Sequence, residues 1–156
     1  MSASRKRQAY DRLVEELGAV LAGVEDPVAA MATGACLVHR ALPDATWTGF
    51  YRVVEPGLLR VGPYQGPLGC LEIPFDRGAC GAAARTQATV VVPNVHAFPD
   101  HIACDPAARS EIVVPVWDRQ GRLTAVLDCD SHRPAAFDAE DAEGLERVAA
   151  LLGNHL

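Results

Sequence analysis

Two β-branched, apolar runs, Glu111–Trp117 (EIVVPVW) and Arg122–Asp130 (RLTAVLDCD), are separated by only Asp118-Arg119-Gln120-Gly121. A connection that short, closed by glycine, makes a hairpin and fixes antiparallel pairing. Side chains alternate along a strand, so Thr124, Val126, Asp128 and Asp130 share one face of the second strand. Leu123, Ala125 and Leu127 share the other, and Cys129 goes with them. Two carboxylates therefore point the same way on a strand that is otherwise core-like. Glu111 opens the partner strand.

The rest of the chain supplies what such a sheet needs. Residues 8–22 place Tyr10, Leu13, Val14, Leu17, Val20 and Leu21 at helical spacing. Asp26-Pro27 is an N-cap followed by proline, opening a second helix that ends before Leu42-Pro43. Strands are expected at Trp47–Val54, Leu58–Val61, Leu71–Ile73 and Ala88–Val92, with a brief helix beginning near Cys80 and running through Gly81–Ala84. Pro93–Arg109 has no periodicity and is long for a structureless connection in a compact domain. Asp138, with Asp141 three residues on, caps a last helix that buries Leu145, Val148, Ala149 and Leu152. The expected fold is α+β in one domain over 1–156, with an N-terminal helix in 1–25 and a core in 26–156. Helices cover one sheet face, and the long loops close a pocket on the other.

Of 156 residues, 49% are hydrophobic and 22% charged, and the net charge is −6. Arg5-Lys6-Arg7 is the one basic cluster, which excludes the basic stripe of a nucleic-acid binder. No 18-residue apolar stretch is present to span a membrane. No signal-peptide pattern follows the polar N-terminus, and the cysteine count is odd, so a reducing, cytoplasmic compartment is expected.

Three of the five cysteines, Cys70, Cys80 and Cys104, fall in Gly/Pro-rich loop sequence within reach of solvent or substrate. Cys80, at a helix start, would have its thiolate favoured by the helix dipole. Asp105 beside Cys104 disfavours a thiolate, whereas His101 favours one, leaving its protonation open. Cys36 and Cys129 read as packing residues. The spacing of Cys70, Cys80 and Cys104 lacks the short ligand pairs of structural zinc, and no metal or cofactor is expected. Asp128 and Asp130 are either a solvated strand end or, with Glu111, the lining of a pocket for a cationic group such as an ammonium. Trp47 and Tyr51, four apart on a strand, are either core or an aromatic wall.

The motifs WTGFY, GPYQG, GCLEIPFDRGACG, PNVHAFPDHIACD, SEIVVP and LDCDS, in this order, resemble the free methionine-(R)-sulfoxide reductases built on a GAF domain. The resemblance runs from the second helix to the last. It implies a GAF fold, and as substrate the R epimer of free L-methionine sulfoxide. It also implies that Cys104 is the nucleophile, Cys70 the principal resolving cysteine and Cys80 a further redox cysteine. Glu111, Asp128 and Asp130 match acids that bind the ammonium and polarise the sulfoxide, and Trp47 and Tyr51 match aromatic pocket residues. On chemical grounds Glu111 and Asp130 are candidates to share one proton. Family members are commonly homodimers reduced by thioredoxin. A Cys70–Cys104 disulfide is then expected in the oxidised protein, with Cys36 and Cys129 shielded and free. Asn94, Asp100, Pro106 and Cys129 depart from the family pattern. The rival reading is a ligand-sensing GAF module without turnover, set aside on the expectation that no effector domain accompanies this chain.

Overall fold

In the computed structural model, which describes residues 1–156, the hairpin lies in the interior of a six-stranded antiparallel sheet. The elements are α1 (Ala3–Val20), α2 (Pro27–Ala41), β1 (Trp47–Glu55), β2 (Leu58–Gln65), β3 (Glu72–Pro74), α3 (Gly78–Thr86), β4 (Val90–Val92), β5 (Ser110–Trp117), β6 (Leu123–Ser131) and α4 (Ala139–Gly153). A single 3-10 turn, Val95–Ala97, interrupts the long connection before β5. The strand order is β3-β2-β1-β6-β5-β4. The turn is held by Asp118, whose Oδ1 accepts from the amides of Gln120 and Arg122 at 2.9 and 3.0 Å.

The period-2 pattern separates two cores. Ile112, Val114, Val116, Ala125, Leu127 and Cys129 face the helices, where they meet Leu13 and Leu17 of α1, Ala35 and Val38 of α2, and Leu145 and Leu152 of α4. Val113 and Val126 face the other way, into a smaller cluster with Trp47, Tyr51, Ile73, Cys80 and Ala83. The helices α1, α2 and α4 thus cover one face, and α3 with the loops covers the other. This is the α+β architecture the alternation requires.

Strand ends shift by one or two residues, and three elements, α1, β2 and α3, run longer than the sequence expectation, the first two because a distant partner overrides the local signal. Helix α1 begins at Ala3 instead of residue 8, although SRKR carries no apolar period. Its first turns are held from outside: Lys6 Nζ lies 2.8 Å from Asp138 and 2.5 Å from Asp141, and Tyr10 donates to Asp141 at 3.0 Å. Asp141 also completes the capping box of α4 by accepting from the Asp138 amide at 2.9 Å. This network, centred on the buried Asp141, ties α1 to the start of α4, whereas exposed pairs such as Arg147–Asp11 contribute little. Strand β2 continues through Gly62 and Pro63 to Gln65, because Tyr64 pairs opposite Gly49 and stacks on Trp47 with ring centroids 5.1 Å apart. The brief helix starts at Gly78 and runs to Thr86, ending on Gln87 in the left-handed region at φ 53°.

No helix is long and apolar enough to cross a membrane.

Candidate functional site

The face of the sheet away from the three large helices carries the chemistry. Glu111 at the start of β5 pairs directly opposite Asp130 on β6, and Val113 opposite Asp128. On the other side of β6, Trp47 pairs with Asp130 and Gly49 with Asp128. All three acids and the aromatic rings are thereby brought to one patch. Trp47 and Tyr51 stack on the same face with centroids 5.6 Å apart, so the aromatic wall is also part of the second core.

A small cavity of about 30 Å³ lies over this patch. Trp47, Tyr51, Cys80, Cys104, Glu111, Asp128 and Asp130 all line it, together with His101 and Asp105. Cys70 does not line it directly but joins it through a disulfide to Cys104, with Cα atoms 5.2 Å apart at a sequence separation of 34. The bond pins the loop before β3 against the loop before β5. The first of these loops is also held to the wall: the Trp47 indole N–H donates to the Pro67 carbonyl at 3.0 Å. Gly69 passes so close that a Cβ there would lie 3.0 Å from the Trp47 ring and from the Tyr51 hydroxyl, which explains a glycine at this position.

The acids are not a solvated strand end. Asp128 is 4% and Glu111 7% exposed, and Asp130 is partly buried. Asp128 Oδ1 is buried without a donor. Burial is the chief cause that raises the Glu111 carboxyl from 4.5 to about 7. Burial, then the charges of Asp130 and Glu111, push Asp128 well above the carboxylate range, and burial, then Glu111, does the same for Asp130. Asp128 and Glu111 bring carboxylate oxygens within 4.8 Å of one another, so Glu111 has Asp128 as a close acidic neighbour in addition to its strand partner Asp130. Glu111 leans along the strand toward Asp128, a diagonal contact that register alone does not reveal.

The cysteines divide differently from the sequence reading. Cys80 is no loop thiol. It sits in the first turn of α3, 3% exposed, and its Sγ lies 3.8 Å from Glu111 Oε1. Burial first, and then the negative field of Asp128, Glu111 and Asp130, raise its thiol well above the ordinary value. That outweighs the helix dipole expected to favour a thiolate, because a dipole contributes about 2 kcal/mol at most against several for desolvation. Cys36 is exposed on α2, not buried. The buried residues of α2 are Ala30, Met31, Gly34, Ala35, Leu37 and Val38, and in so apolar a helix the outward face is not marked by polar residues. Cys129 is fully buried behind the sheet, as the alternation requires.

The surroundings of Cys104 also resolve. His101 lines the cavity, but burial and its neighbour His96 lower its pKa, so it is neutral at pH 7 and supplies no charge to a thiolate. Asp105 turns toward His132, 2.7 Å away, and the Ala107 amide, 2.8 Å away, which hold it ionised. Asp100, where the family pattern has glycine, adopts φ 56°, a conformation glycine takes without cost. Its carbonyl accepts from Gly78 N at 2.9 Å and so anchors the start of α3. Asn94 caps the 3-10 turn through His96 N at 3.1 Å and does not line the cavity.

Cys80, Glu111 and Asp128 place a sulfur and two carboxylate oxygens within 4.8 Å of one another. The sequence set of Cys70, Cys80 and Cys104 is not available as three metal ligands, since two of them are bonded to each other.

Comparison with known proteins agrees with this geometry. The GAF domain model matches residues 7–156. The free methionine-R-sulfoxide reductase of Escherichia coli is 37% identical over 147 residues, spanning 94% of this chain and 88% of that protein. The solved free methionine-R-sulfoxide reductase of Neisseria meningitidis, in complex with its substrate, is 43% identical with a TM-score of 0.91, covering 99% of this chain and 92% of that one. The Staphylococcus aureus enzyme with substrate is 33% identical with a TM-score of 0.87, covering 94% of each chain. With a buried acid cluster, an aromatic wall and a cysteine pair meeting at one cavity, the chain belongs to the GAF-domain family of free methionine-R-sulfoxide reductases.

Proposed function

We propose that this protein reduces free L-methionine-(R)-sulfoxide to L-methionine. The observation that carries the reading is the convergence of Cys104 with two buried acids and the partly buried Asp130 over an aromatic wall. Asp128 and Asp130 receive the ammonium of the amino acid, for which the donorless Asp128 Oδ1 is a ready acceptor. Trp47 and Tyr51 flank the side chain of the substrate. The Asp128–Glu111 pair holds a proton at neutral pH and donates it toward the sulfoxide oxygen, making the sulfur electrophilic.

The Cys104 thiol then attacks sulfur. Oxygen passes to Cys104, methionine leaves, and a sulfenic acid remains. The Cys70 thiol attacks the sulfenic sulfur, water departs, and the Cys70–Cys104 disulfide forms. An external dithiol returns both cysteines to thiols and becomes a disulfide itself. Thioredoxin in the cytoplasm is the reductant in this reading, and a homodimer the assembly. Cys80, a buried and protonated thiol, serves as a hydrogen-bond donor to Glu111 and not as a resolving nucleophile. The disulfide-bonded state has room for about one water molecule, so an amino acid enters only when reduction lets the two loops part.

Incubation with dithiothreitol and each epimer of free methionine sulfoxide tests the function. Methionine should form from the R epimer and not from the S epimer. No methionine from either would remove the reading in favour of a sensing module.

The raised Glu111 carboxyl also predicts a stability profile. The folded state holds this proton more tightly than the unfolded chain, so its contribution is full below pH 4.5 and is lost as pH rises through about 7. That interval corresponds to about 3 kcal/mol. Urea unfolding from pH 4.5 to 8 should show wild type losing stability relative to Glu111→Gln. Parallel curves would mean that Glu111 titrates normally.

A further inference from the structure

We propose that Leu68 and Leu71 form the docking surface for the reductant, a protein dithiol whose reactive thiol is set in an apolar surface. The proposal rests on the function above, since only a turning-over disulfide needs such a partner. These are the two most exposed large hydrophobic residues of the chain, at 83% and 75%. They bracket Cys70, and both Cys70 and its partner Cys104 are partly exposed.

The two leucines are presented by a fixed loop. The Pro67 carbonyl accepts from the Trp47 indole and the Leu71 carbonyl from Val61 N, each at 3.0 Å, and the disulfide holds Cys70 between these anchors. Trp47 and Tyr51 fill the space beneath Gly69, so the loop packs against the wall. Exposed leucines on a tethered loop cost solvation without contributing to the core. Their position around a bond that must be attacked from outside identifies the occupant. A small dithiol needs only the sulfur, whereas a protein must bury surface to bring its thiol there.

Electrons and protons balance through Cys70. A thiolate of the partner attacks Cys70 Sγ, the Cys70–Cys104 bond breaks, and Cys104 leaves as a thiolate that takes a proton. The partner's second thiolate then attacks its own sulfur in the mixed disulfide and releases Cys70 in the same way. Two electrons pass to this chain, and the partner leaves oxidised.

The test compares thioredoxin, with its reductase and NADPH, against dithiothreitol as the electron source for wild type, Leu71→Ser and Val28→Ser. Leu71 does not line the cavity, and Val28, 62% exposed on α2, is a control on the opposite sheet face. Leu71→Ser should lower kcat/KM for thioredoxin about tenfold, as expected for losing one apolar anchor. Its dithiothreitol-supported rate and the kinetics of Val28→Ser should match wild type. Equal thioredoxin kinetics in Leu71→Ser, an equal fall with both reductants, or wild-type turnover with dithiothreitol but not thioredoxin would each overturn the docking surface. No turnover with either reductant would instead overturn the proposed function.

Discussion

Cys104→Ser should abolish methionine formation while leaving the fold intact. The residue lies in the connection before β5, partly exposed, so replacing sulfur with oxygen disturbs no core contact. A serine hydroxyl is far less nucleophilic than a thiol, and of the basic groups beside Cys104 only neutral His101 is placed to accept its proton, since Asp105 is engaged by His132 and the Ala107 amide. The loss should exceed about a thousandfold, or about 4 kcal/mol of barrier. Single-turnover assays with substrate in excess check it. Activity within tenfold of wild type would remove Cys104 as the nucleophile.

Free methionine-(R)-sulfoxide should be preferred over the N-acetylated, peptide-bound form by several orders of magnitude. Three acids, two of them under 10% exposed, face one cavity, and a peptide nitrogen brings them no charge. Leaving a buried carboxylate unpaired costs about 3–5 kcal/mol, and a continuing chain must also pass the tethered loop over Trp47. The ratio of kcat/KM values for the two substrates measures this. Comparable values would mean that the acids do not read the ammonium.

Much of this site was legible because the strand period is simple. Alternation alone placed Asp128 and Asp130 together, Cys129 behind them, and Trp47 with Tyr51 on one face. The hairpin turn and the cap of α4 were equally local, each made by an aspartate and the next few amides. What was not legible depends on depth and on distant partners. Cys80 in RGACG looks like a loop thiol until α3 is laid on β5 and β6, where acids from two strands surround it. Cys36 looks buried because α2 is apolar nearly all round, so periodicity does not mark its outward side. The approach of Glu111 to Asp128 depends on how two side chains lean across a strand pair. The start of α1 depends on Asp138 and Asp141, more than 130 residues away.

The central claim is that Cys104 takes the oxygen of the substrate and Cys70 resolves it. Fully reduced protein, freed of dithiol, should be mixed with excess free methionine-(R)-sulfoxide, and both methionine and disulfides quantified by mass spectrometry under non-reducing conditions. The account predicts about one methionine per chain, a Cys70–Cys104 bridge in the same yield, and free thiols at Cys36, Cys80 and Cys129. Methionine formed without that bridge, or a dominant bridge through Cys36 or Cys129, would contradict it.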